Sequence, residues 1–298
     1  MSLASNTLEP QGKKPAKFDL ARLCVYAVLV LAALGFAMPL YVMIVTSLKT
    51  MPEIRGGTII DLPKSLNFDA WIAAWSTACT GLNCNGIRVG FWNSVTIMVP
   101  SVICSIAVGA LNGYALAFWK VPGAGVLFAL MLVGAFIPYP VFIAPLVQIL
   151  RWLGLYFTLP GIVLVHTIFG LPVMTILFRN FYASLPIELF KAARVDGAGF
   201  WRIFGSIILP MSTPIIIVAV ILQVTGIWND FLLGLIFAGR DNLPMTVQLN
   251  NVVNSTQGER AYHVDMAATL LTAMVPLAVY FFSGRWFVRG IAAGAVKG

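Results

Sequence analysis

The sequence predicts an all-α, polytopic membrane protein with about six transmembrane helices and both termini on the cytoplasmic side. Three observations carry this. First, 59% of the 298 residues are apolar and only 10% are charged, against about 25% charged in an ordinary soluble domain. So little polar surface cannot cover a soluble globule, and lipid must solvate much of the chain. Second, the apolar residues fall into six long runs, and a helix crossing the hydrocarbon core needs about 20. The runs are continuous, not alternating in short segments as in a membrane β-barrel. Third, the net charge of +8 is one-sided.

The runs extend over Cys24–Leu48, Trp92–Trp119, Ala124–Leu150, Leu159–Leu177, Leu209–Ala238 and Met266–Phe287. Lysine and arginine set the orientation. With the N-terminus inside, twelve of them and four acids lie on the cytoplasmic side, against seven and seven elsewhere. The whole excess therefore sits on one face, and topology explains it better than a nucleic-acid surface. The basic start of the chain with the long first run reads as a retained signal anchor. The expected organisation is a cytoplasmic tail (1–23), the first transmembrane helix (24–48), an external loop (49–90), a five-helix core (91–289) and a cytoplasmic C-terminal tail (290–298).

The external loop holds Cys79 and Cys84, spaced C-T-G-L-N-C. Outside the cytoplasm this pair is a candidate disulfide; two unpaired thiols are the alternative. Cys24 and Cys104 lie in apolar runs as small hydrophobes. No Cys-x-x-Cys or His-x-x-x-His spacing supports a metal site. With no G-x-x-x-x-G-K-[ST] phosphate loop, the chain is not expected to hydrolyse ATP, and no nucleophile, base or metal cluster marks an enzyme.

The cytoplasmic connection 184–210 reads S-L-P-I-E-L-F-K-A-A-R-V-D-G-A-G-F-W-R-I-F-G-S-I-I-L-P. Ser184 suits a helix cap, Pro186 a first turn, and Glu188 complements the positive helix end. Asp196-Gly197 is a turn signal. Two short amphipathic helices are thus expected to meet at a bend. Their apolar residues Leu189, Phe190, Phe200, Trp201 and Phe204 exceed what a solvated loop needs. They fit a docking surface or a helix pair lying on lipid.

This segment resembles the EAA loop of importer permeases in the ATP-binding cassette (ABC) superfamily. The likeness rests on Ala192, Ala193, Asp196, Gly197, Ala198, Phe204, Ile207, Leu209 and Pro210, with Glu188 fitting the carbohydrate branch. Lys191 stands where the family has a glutamate. The runs Ser47-Leu48-Lys49-Thr50, Asn93-Ser94 and Gly113-Tyr114-Ala115-Leu116-Ala117, and the ending G-I-A-A-G-A-V-K-G, are similar to the second permease subunit of maltose-type importers. The resemblance implies a type I permease fold and a non-catalytic subunit. It also implies a second permease, two ATPase copies carrying ATP and Mg, and an external sugar-binding protein. The EAA loop would then couple to the ATPase, and Lys297 in the tail would touch it.

Polar residues inside membranes are functional candidates. Trp228, Asn229 and Asp230 in the fifth run are candidates for the sugar path, with helix packing as the alternative. His166 and Asn112 fit packing. Pro138-Tyr139-Pro140 and Pro145 in the third run would kink it. A secondary transporter would need several buried carboxylates or inverted repeats; only Asp230 lies in a run. No arginine lies deep inside a run (Arg285 is at the cytoplasmic end of the last), which favours a neutral sugar, with glucose or mannose expected and an oligosaccharide or glycerol phosphate as alternatives.

Overall fold

The computed structural model describes residues 20–81, 83–119, 121–254 and 260–295. Lys297 lies outside them. All regular structure among the described residues is helical. In chain order the helices are α1 (Leu20–Ser47), α2 (Met51–Gly56), α3 (Asp69–Ser76), α4 (Arg88–Phe118), α5 (Ala124–Phe136), α6 (Ile143–Trp152) and α7 (Leu159–Ala183). The small helices α8 (Ile187–Val195), α9 (Phe200–Ile203) and α10 (Leu209–Met211) follow, then α11 (Thr213–Trp228), α12 (Leu232–Phe237), α13 (Met245–Val253) and α14 (Tyr262–Ala295).

Four helices are long and apolar enough to span a bilayer alone: α1, α4, α7 and α14. Two further spans are broken. The third expected span is bent by 106° between Phe136 and Tyr139, and the fifth by 77° between Met211 and Thr213. Proline explains both positions. Pro138 removes a donor and disfavours helix at Ile137, and Ile137 is extended at φ −73°, ψ 128°. At the second bend Pro210 and Pro214 flank Ser212, and a π-turn over Phe204–Ile208 loosens the ladder just before it.

Helix α4 organises the bundle. Its 31 residues make about 46 Å of helix. It packs side by side with α7 in a parallel sense: Gly109 meets Met174 and Gly113 meets Phe178. Parallel neighbours require the chain to cross back between them. The α5–α6 pair does so: Phe128 faces Arg179, Tyr139 faces Phe169, and Leu150 shares a cluster with Ile162. The bent pair is therefore one crossing.

Three clusters stack along α4. At its start, Phe91 and Val95 join Ala70, Ala74, Trp228, Met245 and Ala268. In the middle, Ile97 and Val102 pack with Val165, Ile227 and Phe237. At its end, Ala110 and Tyr114 pack with Phe178, Tyr182, Ala193 and Ile203. The polar loop after α1 is tied down at the first end. The Trp71 indole donates to Ser47 Oγ at 3.2 Å, and buried Lys49 donates to the Thr58 carbonyl at 3.1 Å. Amides of Thr50 and Lys64 hold the Glu53 carboxyl below the ordinary glutamate range.

Expected spans change at their ends: α4 begins at Arg88, before Trp92, and α14 runs from Tyr262 to Ala295, beyond Phe287 and into the expected tail. Helix α7 runs on to Ala183, beyond Leu177. The fifth stops at Trp228, not Ala238, because the Asp230 carboxylate accepts from the amides of Leu233 and Gly234 at 3.3 and 2.9 Å. Those bonds start α12 afresh, so 231–238 is no continuation of α11.

Candidate functional site: the 184–210 loop and the mid-bundle cavity

Loop 184–210 is built on one turn. Helix α8 ends in a Schellman motif: the Ala198 amide donates to Ala193 at 2.9 Å and the Gly197 amide to Arg194 at 3.1 Å. This motif needs a left-handed residue at the position after the cap, and Gly197 supplies it at φ +76°. The apolar contact that accompanies the motif is Ala193 against Ala198, both buried. Ala193, Gly197 and Ala198 therefore have a local structural reason. Ser184 plays another part than expected: its hydroxyl donates to Phe181 at 2.7 Å, closing α7, and Pro186 stands at the start of α8.

Beneath this turn lies an aromatic box. Tyr114, fully buried, has its ring 4.8 Å from Phe200 and 5.3 Å from Phe204. Its hydroxyl donates to the Phe200 carbonyl at 3.2 Å. Phe118 stacks on Phe190 at 5.0 Å, and the Arg194 guanidinium sits 4.8 Å over Trp119. Each such ring pair adds about 0.5–1.5 kcal/mol beyond its area burial. Phe190, Phe200 and Phe204, expected on the outer surface of the loop, are half-buried against the box. What remains outward is Leu189, Val195 and Trp201, the last two 86% and 69% exposed, together with exposed Glu188, Lys191, Ala192 and Asp196. Tyr114, Phe118 and Trp119 were the missed half of the site, marked in sequence only by three aromatics within six residues at the end of a span.

Gly197→Val is expected to force a β-branched residue into the left-handed region. That costs about 1–2 kcal/mol, whereas Gly197→Asn is tolerated. Nothing lies within 4 Å of a Cβ there, so a clash cannot confound the comparison. Trypsin cleavage at Lys191 and Arg194 in inside-out vesicles should rise about tenfold in the valine variant only.

The second region lies where the two broken spans meet. A cavity of about 700 Å³ is lined by Tyr139, Phe142 and Phe169 on one side and Gly226, Asn229 and Asp230 on the other. Its depth is that of Phe169–Val173, halfway along α7. His166 Nε2 stands 3.9 Å from Asp230 Oδ2, and both side chains are largely buried. Thr246 donates to the Asp230 carbonyl at 2.5 Å. Trp228 does not line the cavity. It is 1% exposed, donates to the Thr272 carbonyl at 2.9 Å and meets Phe91 edge-on at 5.6 Å. It is a packing residue and leaves the candidate path to its two neighbours. Cys79 and Cys84 are joined by a disulfide in the loop before α4. Among the described residues no cluster of metal-ligating side chains occurs.

Residues 18–293 match the sequence family described as the binding-protein-dependent transport system inner membrane component. The chain belongs to that family. As an inner membrane component of such a transport system it is a non-catalytic, multi-pass membrane subunit. Relatives include the alpha-glucoside transport system permease protein AglG of Rhizobium meliloti (strain 1021), 40% identical over 73% of this chain and 58% of that protein. The osmoprotective compounds uptake permease protein GgtD of Synechocystis sp. is 38% identical over 72% of each chain. The match thus spans less than two thirds of AglG and more than two thirds of GgtD. Among solved structures, the crystal structure of a bacterial ABC transporter involved in the import of the acidic polysaccharide alginate contains a chain with this fold. It aligns with a TM-score of 0.75 at 19% identity, covering 91% of this chain and 99% of that one.

Proposed function

We propose that this family member forms half of the translocation path of an ATP-driven importer of neutral sugars. Its other components would be a second permease, two ATPase copies that hold ATP and Mg, and an external sugar-binding protein. The observation that carries the reading is the locked turn at Gly197. It presents Leu189, Lys191, Ala192 and Val195 outward on a helix braced by α4. Such a helix moves with the spans it rests on, so a push from a closing ATPase reaches them without a chemical step on this chain. Glu188, Lys191, Ala192 and Asp196 would face the ATPase; Ala193, Gly197, Ala198 and Phe204 would hold the helix in shape. Lys297 would touch the same partner. The Cys79–Cys84 bridge would brace the outer loop on the oxidising side.

The relatives weigh on the sugar. They include permeases named for alpha-glucosides, diacetylchitobiose and arabinooligosaccharides, and a glucose import permease at 28% identity. We therefore place α-glucosides first and free glucose or mannose second. The test is uptake of labelled glucose, mannose, maltose, trehalose and glycerol phosphate in a host lacking the gene, with and without complementation. Selective, rescued loss of one neutral sugar is the expected result; loss of glycerol phosphate alone removes the sugar assignment.

Lys191 reverses the charge of the family's glutamate, so an acidic side chain on the ATPase is expected to face it. Lys191→Glu should reduce the ATPase recovered with the purified permease roughly tenfold, since like charges juxtaposed at an interface repel. Undiminished recovery would rule out a charged contact there.

A further inference from the structure

We infer that this subunit itself carries a sugar-contact subsite, in which Tyr139, Phe142 and Phe169 form the apolar platform and Asn229 and Asp230 the polar edge. The inference rests on the importer reading above and adds which chain selects the sugar, and by which residues.

The backbone supplies the first argument. Non-helical segments at membrane depth are tolerated where protein buries them or where they line a water-filled cavity, and broken spans mark binding sites in transporters. Here Ile137–Pro138 at one break and Asn229–Asp230 at the end of α11 line the same cavity. Chemistry supplies the second. Binding cavities are mainly apolar and aromatic with a few converging polar groups. Tyr139 and Phe169 meet edge-on at 5.9 Å, and Phe142 lies 6.2 Å from Phe169, so ring faces remain for the apolar face of a pyranose. Asn229 is exposed to the cavity, and its side-chain amide makes no hydrogen bond among the described residues. Each Asp230 carboxylate oxygen accepts one amide, which leaves further acceptor capacity on both. Together they offer donors and acceptors to vicinal hydroxyls.

Charge supplies the third argument. Among the described residues Asp230 is the one charged residue on the lining, and no lysine or arginine joins it. With only His166 at 3.9 Å and two backbone amides beside it, and no lysine or arginine, this carboxylate disfavours a second anion in a low-dielectric surround. The subsite therefore takes neutral glycosides and rejects uronates and sugar phosphates.

The experiment complements a deletion host with wild type, Asn229→Ala or Tyr139→Leu. It measures uptake of two neutral glycosides, maltose and trehalose, beside membrane abundance and the second permease recovered on purification. We expect normal abundance and assembly, uptake reduced at least tenfold, and an altered ratio between the two sugars. Wild-type rates and ratio in both variants would overturn the subsite. So would loss of the second permease on purification, which would mean that its side chains fill the cavity. Failure of wild type to restore any sugar uptake would instead overturn the importer reading. Asp230→Asn serves as a further variant that keeps an acceptor for the α12 amides; it should admit glucuronide relative to glucoside where wild type does not.

Discussion

Replacing Tyr114 with alanine is expected to release loop 184–210 from the bundle and uncouple it from the spans. The tyrosine is fully buried and touches four rings, those of Phe118, Trp119, Phe200 and Phe204. Large aromatic-to-alanine changes in cores cost about 3–5 kcal/mol. Here the loss is local, because α8 to α10 lie over that ring while membrane insertion depends on the apolar spans. The variant should reach the membrane in normal amount. Its loop should be cut by trypsin in inside-out vesicles on the order of 100-fold faster, since cleavage tracks the open population. The ATPase recovered with it should fall in parallel. Tyr114→Phe keeps the ring and removes one hydrogen bond of 3.2 Å to the Phe200 carbonyl, a change of about 1 kcal/mol. Equal protease sensitivity in Tyr114→Ala and wild type would mean the box does not hold the loop.

The spans were legible because lipid leaves few choices: long apolar runs with one-sided basic flanks become helices across the bilayer. The bend at Asp196-Gly197 was legible for a similar reason, since few residues accept a left-handed conformation. What the sequence did not show is which face of the loop is used. Leu189, Phe190, Phe200, Trp201 and Phe204 look alike as letters. Only the position of Tyr114, 86 residues from Phe200, sorts them into inward and outward sets. The same holds for Trp228 and Asn229. One residue of helix rotates a side chain by about 100°, which sends Trp228 toward Thr272 and Asn229 into the cavity. The cavity's aromatics were hidden because Tyr139, Phe142 and Phe169 come from two segments that only a sharp break brings together.

The break in α5–α6 matters only if the seam it bridges is rigid, and that seam makes the second large prediction. Gly113→Ile should separate α4 from α7. A Cβ at Gly113 would stand 2.7 Å from Phe178 Cβ and from the Arg179 amide nitrogen; at Gly109 it would stand 2.5 Å from Met174 Cβ. The two glycines lie four residues apart on one face, the small-xxx-small spacing that lets helices approach closely in membranes. That signal was present in G-A-L-N-G. The obstructing atoms at Gly113 include backbone, so no rotamer change relieves the clash. Overpacking of this kind costs about 1–3 kcal/mol or more, and the buried Phe178 and Tyr182 beside it would lose contacts as well. The purified permease should melt several degrees lower, at about 2–4 °C per kcal/mol for a chain of this size. Gly125→Ala, where nothing lies within 4 Å, should leave the melting point unchanged. If Gly113→Ile melts with wild type, α4 and α7 can slide past each other. Motion at Gly197 would then dissipate in the seam instead of reaching the cavity, and the path from loop to sugar would have to run through α11 alone.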